Sequence, residues 1–150
     1  MSEIFLNQLG PKFKIANTLI EKALNNRFAS IFSEYSLTGA QISLMVYLYD
    51  SKGRTITQKE IADTFVLSHP TIRGIVRRLE SNQLIETAHL KSDQRQIVLT
   101  LSAKGFKLID DNIATIHQIM AETNQQIIQG MNQQDVEQLS RLLNRIISNF

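Results

Sequence analysis

The chain contains no cysteine, which excludes disulfides, thiolate metal sites and thiol-based redox sensing. No apolar run approaches the roughly 20 residues needed to span a bilayer, so no membrane partner is expected. The start, Met1-Ser2-Glu3-Ile4-Phe5-Leu6, lacks a basic leader and a cleavage site, and a cytoplasmic protein is expected. His69, His89 and His117 are scattered, with no pair at the i, i+4 spacing of a metal site; neither metal nor other cofactor is expected. A Gly-rich phosphate loop and a Ser–His–Asp order with supporting context are both missing, which argues against an enzyme. A strong excess of one charge is missing too. Sixteen basic against 14 acidic residues leave +2, so bulk charge says little about nucleic acid.

What is present has the proportions of a globular chain: 150 residues, 43% hydrophobic, enough for one domain or a small core with helical extensions. The densest information lies between Thr57 and Ser102. Thr57-Gln58-Lys59-Glu60 is a capping box that starts a helix with Ile61, Ala62 and Phe65 on its apolar face. Val66-Leu67 break it. Ser68-His69-Pro70-Thr71 starts a second helix, with Ser68 as cap and Pro70 in the first turn, where its missing N–H costs nothing. Ile72, Ile75, Val76 and Leu79 then bury one side, and Ser68, His69, Thr71, Arg73, Gly74 and Arg77 are left outward. Donors and small residues outside with aliphatics inside suit a helix lying in a DNA major groove. Leu84 to Leu90 and Gln96 to Leu101 read as strands around a polar tip, Lys91-Ser92-Asp93-Gln94-Arg95. This is the order of a winged helix-turn-helix.

Around this head the chain is helical. Gly10-Pro11 opens a helix to about Ser33, and Thr38-Gly39-Ala40-Gln41 is a capping box for a helix apolar nearly all round, hence central. Thr55-Ile56 can add a short strand to the wing. Ser102 caps a long helix with Phe106, Ile109, Ile113, Ile116, Met120, Thr123 and Ile127 alternating three and four apart, the period of a helix-to-helix seam that only Thr123 breaks. Gly130 ends it, and Asn132 with Asp135 forms a variant capping box before a last helix carrying Val136, Leu139, Leu143, Ile146 and Phe150. The expected class is mainly α with a small antiparallel β wing. It divides into an N-terminal dimerisation helix over 1–36, a winged helix-turn-helix over 37–101 and C-terminal dimerisation helices over 102–150. The apolar stripes exceed what one small head can cover, so a symmetric dimer is expected, with Leu9, Phe13, Ile127, Leu139, Leu143, Ile146 and Phe150 in its interface.

The pattern Leu37-Thr38…Gln41…Leu44, Thr57-Gln58…Glu60-Ile61-Ala62, Ser68…Thr71-Ile72…Val76…Leu79-Glu80, Leu84-Ile85, Asp93-Gln94-Arg95 and Leu101-Ser102-Ala103-Lys104-Gly105 resembles the MarR/SlyA family of bacterial transcriptional regulators. The most specific part is the Asp-x-Arg wing motif ahead of the Leu-Ser-x-x-Gly helix start. The resemblance implies a triangular homodimer on a palindromic operator in double-stranded DNA. It implies that the helix from Ser68 to Asn82 enters the major groove, through Ser68, His69, Pro70, Thr71, Arg73, Gly74, Arg77 and Arg78. It also implies that the wing, with Lys91, Asp93 and Arg95, reaches the minor groove, Asp93 orienting the arginine or bracing the wing. Ligand-controlled repression follows from it as well, by a small lipophilic or aromatic effector between the dimer region and the head. Phe28, Phe32, Tyr35, Met45 and Tyr47 are the candidate walls, against the plainer reading that each is core.

The chain departs from the family pattern at three places. Gln83 stands where glycine usually follows the recognition helix, so either Gln83 takes a left-handed backbone or the turn shifts to Asn82. Glu86-Thr87 replace a basic residue after Leu84-Ile85, and Gln96, Ile97 and Val98 follow Arg95 without a second cation. Two other functions stay open: a winged helix used for protein–protein contact, and an activator instead of a repressor. The polar-to-basic outward face favours DNA over a protein partner.

Overall fold

Side-chain caps set most of the helix starts. The computed structural model describes residues 3–150; Met1 and Ser2, at the head of the segment expected to dimerise and of the leader reading, lie outside the described residues. A single turn, α1 (Glu3–Leu6), precedes α2 (Leu9–Ala29), which ends about four residues earlier than the sequence suggests. Ser36, in a left-handed conformation (φ 51°), turns the chain into α3 (Gly39–Asp50). Here the capping box is complete: Gln41 N–H donates to Thr38, and the Thr38 N–H donates back to the Gln41 side chain at 3.0 Å. α3 is the centre of the core, with Ile42, Leu44, Met45 and Leu48 buried.

β1 (Ile56–Thr57) leads into α4 (Gln58–Phe65), and α5 (His69–Ser81) follows after a tight turn. β2 (Ile85–Leu90) and β3 (Asp93–Leu101) form the wing, and the antiparallel sheet has the order β1-β3-β2. β1 pairs Ile56 with Leu99, so the sheet's inner face joins the helical core through buried Ile56, Ile85 and Leu99. The last elements are α6 (Ala103–Ile127) and α7 (Gln133–Ser148), with a complete capping box at Asn132 and Asp135.

Two details differ from expectation, and a third decides between Gln83 and Asn82 as the left-handed residue. The second half of the capping box at Thr57 does not form. Thr57 accepts from the Glu60 N–H at 3.1 Å, but the Glu60 carboxylate turns away to the Tyr47 hydroxyl at 2.7 Å and to Arg54 at 3.0 Å, because charged and hydroxyl donors outbid a backbone amide. The wing tip is shorter than Lys91 to Arg95. β3 begins at Asp93, and a bulge between the His89–Ile97 and Leu90–Asp93 pairs absorbs the extra residues. At the end of α5 the left-handed residue is Gln83 (φ 60°) and not Asn82, which caps the helix with φ −85°. This register lets the Leu84 N–H reach the Leu79 carbonyl at 3.0 Å and the Gln83 N–H reach Glu80 at 2.9 Å, the paired bonds of a Schellman motif, while burying Leu84.

α6 packs along α2 and α3 of its own chain through Ile109, Ile116, Ile119 and Thr123. Much of the stripe expected to need a second chain is thus covered internally. Thr123 is buried there without an orphaned hydroxyl: it donates to the Ile119 carbonyl at 2.8 Å and accepts from Arg27 at 2.7 Å. α7 is different, since none of its residues is buried.

Candidate nucleic-acid interface

The reading head is positioned by local backbone chemistry. α4 ends in a second Schellman turn, in which the Leu67 N–H reaches Ala62 O at 2.8 Å and Val66 adopts φ 53°. Leu67 is thereby pulled inward, and the next residue, Ser68, becomes the N-cap of α5. Its Oγ accepts from the Thr71 N–H at 3.3 Å and lies 2.9 Å from Thr71 Oγ1. Pro70 sits in the first turn. Ile72, Ile75, Val76 and Leu79 fix the inner face of α5, which leaves Ser68, His69, Pro70, Thr71, Arg73, Gly74, Arg77 and Arg78 exposed.

These residues do not act as one surface. Arg73 and Arg77 lie one turn apart and make no ion pair or side-chain hydrogen bond among the described residues. Gly74 has no atom within 4 Å of where a Cβ would stand, so the face is bare backbone beside them. Arg78 leans toward the link between α2 and α3, its guanidinium 3.5 Å from the Tyr35 carbonyl.

In the wing, Arg95 projects with its side chain 92% exposed, and Lys91 is exposed beside it. Asp93 does two jobs. Its Oδ1 accepts from the Arg95 N–H at 3.1 Å and from Arg95 Nε at 3.2 Å, and its Oδ2 accepts from Gln96 at 3.3 Å. The backbone bond from Arg95, then the side-chain bonds from Arg95 and Gln96, hold the Asp93 carboxyl below the usual aspartate range. The carboxylate thus both closes the bulge and aims the arginine. On the neighbouring strand Thr87, the second residue of the Glu86-Thr87 departure from the family pattern, donates to Glu80 near the end of α5 at 2.6 Å.

A cleft of about 340 Å³ separates the wing from α4 and the start of α5. It brings His69 and Arg95 together with Gln58 and Lys59 from the first turn of α4. Gln58 and Lys59 are not among the residues expected to touch DNA. Their signal was present, as polar residues in the first turn after Thr57, but only the fold turns that turn toward the wing. Lys59 pairs with Asp63 at 2.6 Å, an exposed i, i+4 contact of little energetic weight that a phosphate can replace.

A second cavity, of about 230 Å³, lies behind the head. α2 contributes Leu24 and Phe28; α3 contributes Ile42, Ser43, Val46, Tyr47 and Asp50; α4 contributes Phe65; α6 contributes Ile116 and Met120. Of the five expected pocket residues, Phe28 and Tyr47 line it. Phe32 and Met45 are instead sealed in the core, and Tyr35 lies elsewhere, under the Lys104 ammonium at 5.1 Å from its ring. Tyr47 is held on both sides. Its ring meets Phe65 edge-on at 5.7 Å and its hydroxyl donates to Glu60. The Tyr47 hydroxyl bond, then the bond from Arg54, keeps the Glu60 carboxyl below the ordinary glutamate value.

Of the expected dimer residues, Leu9, Phe13, Ile127 and Phe150 are exposed in the single chain, and Leu139, Leu143 and Ile146 are half-buried. An apolar groove of about 380 Å³ between α2, α6 and α7 includes Leu19, Ile20, Ile127 and Leu139. No helix among the described residues is long and apolar enough to cross a membrane.

Comparison with known proteins agrees with this geometry. Residues 26–113 match the family described as transcriptional regulator SarA/Rot. The chain is 25% identical over 127 residues to the HTH-type transcriptional regulator MgrA of Staphylococcus aureus, covering 83% of this chain and 81% of that protein. Among solved structures, MepR of S. aureus in complex with DNA superposes with a TM-score of 0.78 at 21% identity, over 95% of this chain and 98% of that one. The transcription regulator MarR of Oenococcus oeni superposes at 0.66 with 26% identity, over 94% and 99%. The mainly helical winged-helix fold and the resemblance to MarR-type regulators are thus borne out.

Proposed function

The chain belongs to the SarA/Rot family of transcriptional regulators, and we propose that it does this work as a cytoplasmic homodimeric repressor, without enzymatic activity, that releases a palindromic operator when a small lipophilic molecule occupies the cavity behind the head. It is a DNA-binding regulator, and the observation that carries the detailed reading is the union of two basic features on one side of the molecule. The exposed face of α5 presents Arg73 and Arg77 without carboxylate partners, and the wing presents Arg95 on a braced bulge. Arg73 and Arg77 suit guanine edges in a major groove, and a lone projecting arginine suits a narrow A·T minor groove. Gln58 and Lys59 suit the backbone phosphates between them.

The division of labour follows. Residues 37–101 read DNA, and 1–36 with 102–150 join two copies. α7, which buries none of its residues and leaves Leu142 and Ile147 exposed, with Phe150 exposed just beyond its end, supports a second copy as the cover. Two heads must then stand about 34 Å apart, one turn of DNA. The cavity is placed to disturb this. Phe65 is both a wall of the cavity and the last residue of α4, three positions before the cap of α5. An occupant that displaces Phe65 moves the start of the recognition helix.

The test is selection of bound fragments from random DNA, followed by Arg73→Ala, Arg77→Ala and Arg95→Ala. Loss of a bidentate guanine contact costs about 1–3 kcal/mol and relaxes preference at one base pair, whereas Arg95→Ala weakens A·T-rich flanks. Equal losses for all three on specific and random DNA would reduce them to phosphate contacts and remove the assignment.

A further inference from the structure

We propose that the cavity behind the head selects a flat aromatic cation, an inference that rests on the reading of this cavity as the effector site. The reason is the distribution of charge around it. Its walls are largely apolar, with the aromatic side chains Phe28, Tyr47 and Phe65 among them. Among the described residues, Asp50 supplies the only acidic or basic side chain that lines it. The one phenol there, Tyr47, has its proton committed to Glu60, and that carboxylate is balanced by Arg54.

Asp50 stands in a place that disfavours it. It is the last residue of α3, and no basic residue accompanies it in the last turn. The unsatisfied carbonyls of a helix C-terminus carry partial negative charge, so a carboxylate there meets repulsion where a lysine would meet attraction. Asp50 also makes no ion pair or side-chain hydrogen bond among the described residues. Lys52, two residues on, is drawn away: its ammonium sits 4.6 Å above the Tyr49 ring and 5.1 Å above Phe106. Carboxylate and helix end therefore sum to negative potential at the edge of an aromatic chamber. A cation with a delocalised ring gains from both, through the aromatic walls and through the carboxylate. An anion of the same shape meets repulsion and finds no cationic side chain in the wall.

The cavity volume suits two fused rings, which permits a clean experiment with three molecules of one shape. These are 1-methylquinolinium, neutral 1-methylnaphthalene and anionic 1-naphthoate, titrated calorimetrically into wild-type protein and Asp50→Asn, with operator binding followed in parallel. The expected result is that wild type binds the quinolinium at least about tenfold more tightly than either analogue, a fold-change in the range of a cation–aromatic contact joined by one carboxylate. Asp50→Asn should bring the quinolinium down to the level of the neutral molecule and leave the neutral molecule unchanged. Because the aspartate is unfavourable where it stands, the variant should melt no lower than wild type, which separates a ligand role from a structural one. Equal or tighter binding of naphthoate or methylnaphthalene, or unchanged quinolinium affinity in Asp50→Asn, overturns the proposed charge selection. If one of those analogues also releases operator DNA, the effector reading survives that failure. If none of the three binds, both fall.

Discussion

Gly105 offers the sharpest test of how the reading head is joined to the long helices. It lies in the first turn of α6, in the Leu-Ser-x-x-Gly stretch, and a Cβ built on it would stand 1.9 Å from the Leu84 carbonyl oxygen and 2.9 Å from its carbon. That oxygen is backbone and cannot swing aside. Relief requires α6 to retreat from the start of the wing by roughly 1 Å or more, since overpacked cores answer by backbone shifts. Three contacts cross the same seam: Ser102 N–H to Leu84 O at 3.1 Å, Ser102 Oγ to Gln83 O at 2.7 Å, and Lys104 Nζ to Asn82 O at 3.2 Å. Overpacking costs about 1–3 kcal/mol and each weakened bond about 0.5–1.5, while alanine recovers up to about 1 through helix propensity. Gly105→Ala should therefore destabilise by about 3 kcal/mol, a fall in Tm of about 6–12 °C for a chain of this size. Gly74→Ala is the control. It is also a helix-interior glycine, but nothing lies within 4 Å of its Cβ position, so it should gain up to about 1 kcal/mol. Circular dichroism melts at one fixed protein concentration read both, because an associating protein's Tm shifts with concentration. If Gly105→Ala melts within about 2 °C of wild type, a difference worth less than about 1 kcal/mol, the close approach does not hold the head in place.

Other consequences are simpler to state. Val66 is 89% exposed and left-handed, so Val66→Gly loses little burial and should raise stability by about 0.5–1 kcal/mol in urea melts, the relieved strain less the entropy glycine adds to the unfolded chain; no gain would mean that the left-handed turn is not retained in solution. Glu60 has a folded pKa below its ordinary 4.5, first from Tyr47 and then from Arg54, so the stability it contributes is complete above that value and is lost as pH falls through the depressed one. Glu60→Gln should flatten the stability profile below about pH 4.5, and an unchanged acid limb would show that the Tyr47–Glu60–Arg54 set is not formed. Deleting residues from Asn132 onward should abolish the dimer in sedimentation at micromolar concentration, because several large apolar side chains of α7 lose burial worth about 1.5–3 kcal/mol each. A deleted protein that remains dimeric would place the interface elsewhere.

Much of the head was legible in the sequence because it is built from contacts within four or five residues. The caps at Thr38, Ser68, Ser102 and Asn132, the proline in the first turn of α5, and the spacing of Ile72, Ile75, Val76 and Leu79 each act locally, and each stands where the pattern put it. The outward position of Arg73 and Arg77 follows from that spacing alone. What the tertiary structure decided depends on groups far apart in the chain. Glu60 left its own helix cap because Tyr47 and Arg54 were brought to it. Gln83 took the left-handed turn over Asn82 because Leu84 had to be buried with its N–H satisfied by Leu79. Phe32 and Met45 became core while Phe28 and Tyr47 became cavity wall, a distinction that helical spacing cannot make, since an aromatic on an apolar face faces either a neighbour or a void according to what α4 and α6 deliver opposite it. Periodicity fixes which side of a helix turns inward; only the meeting of helices fixes what that side meets.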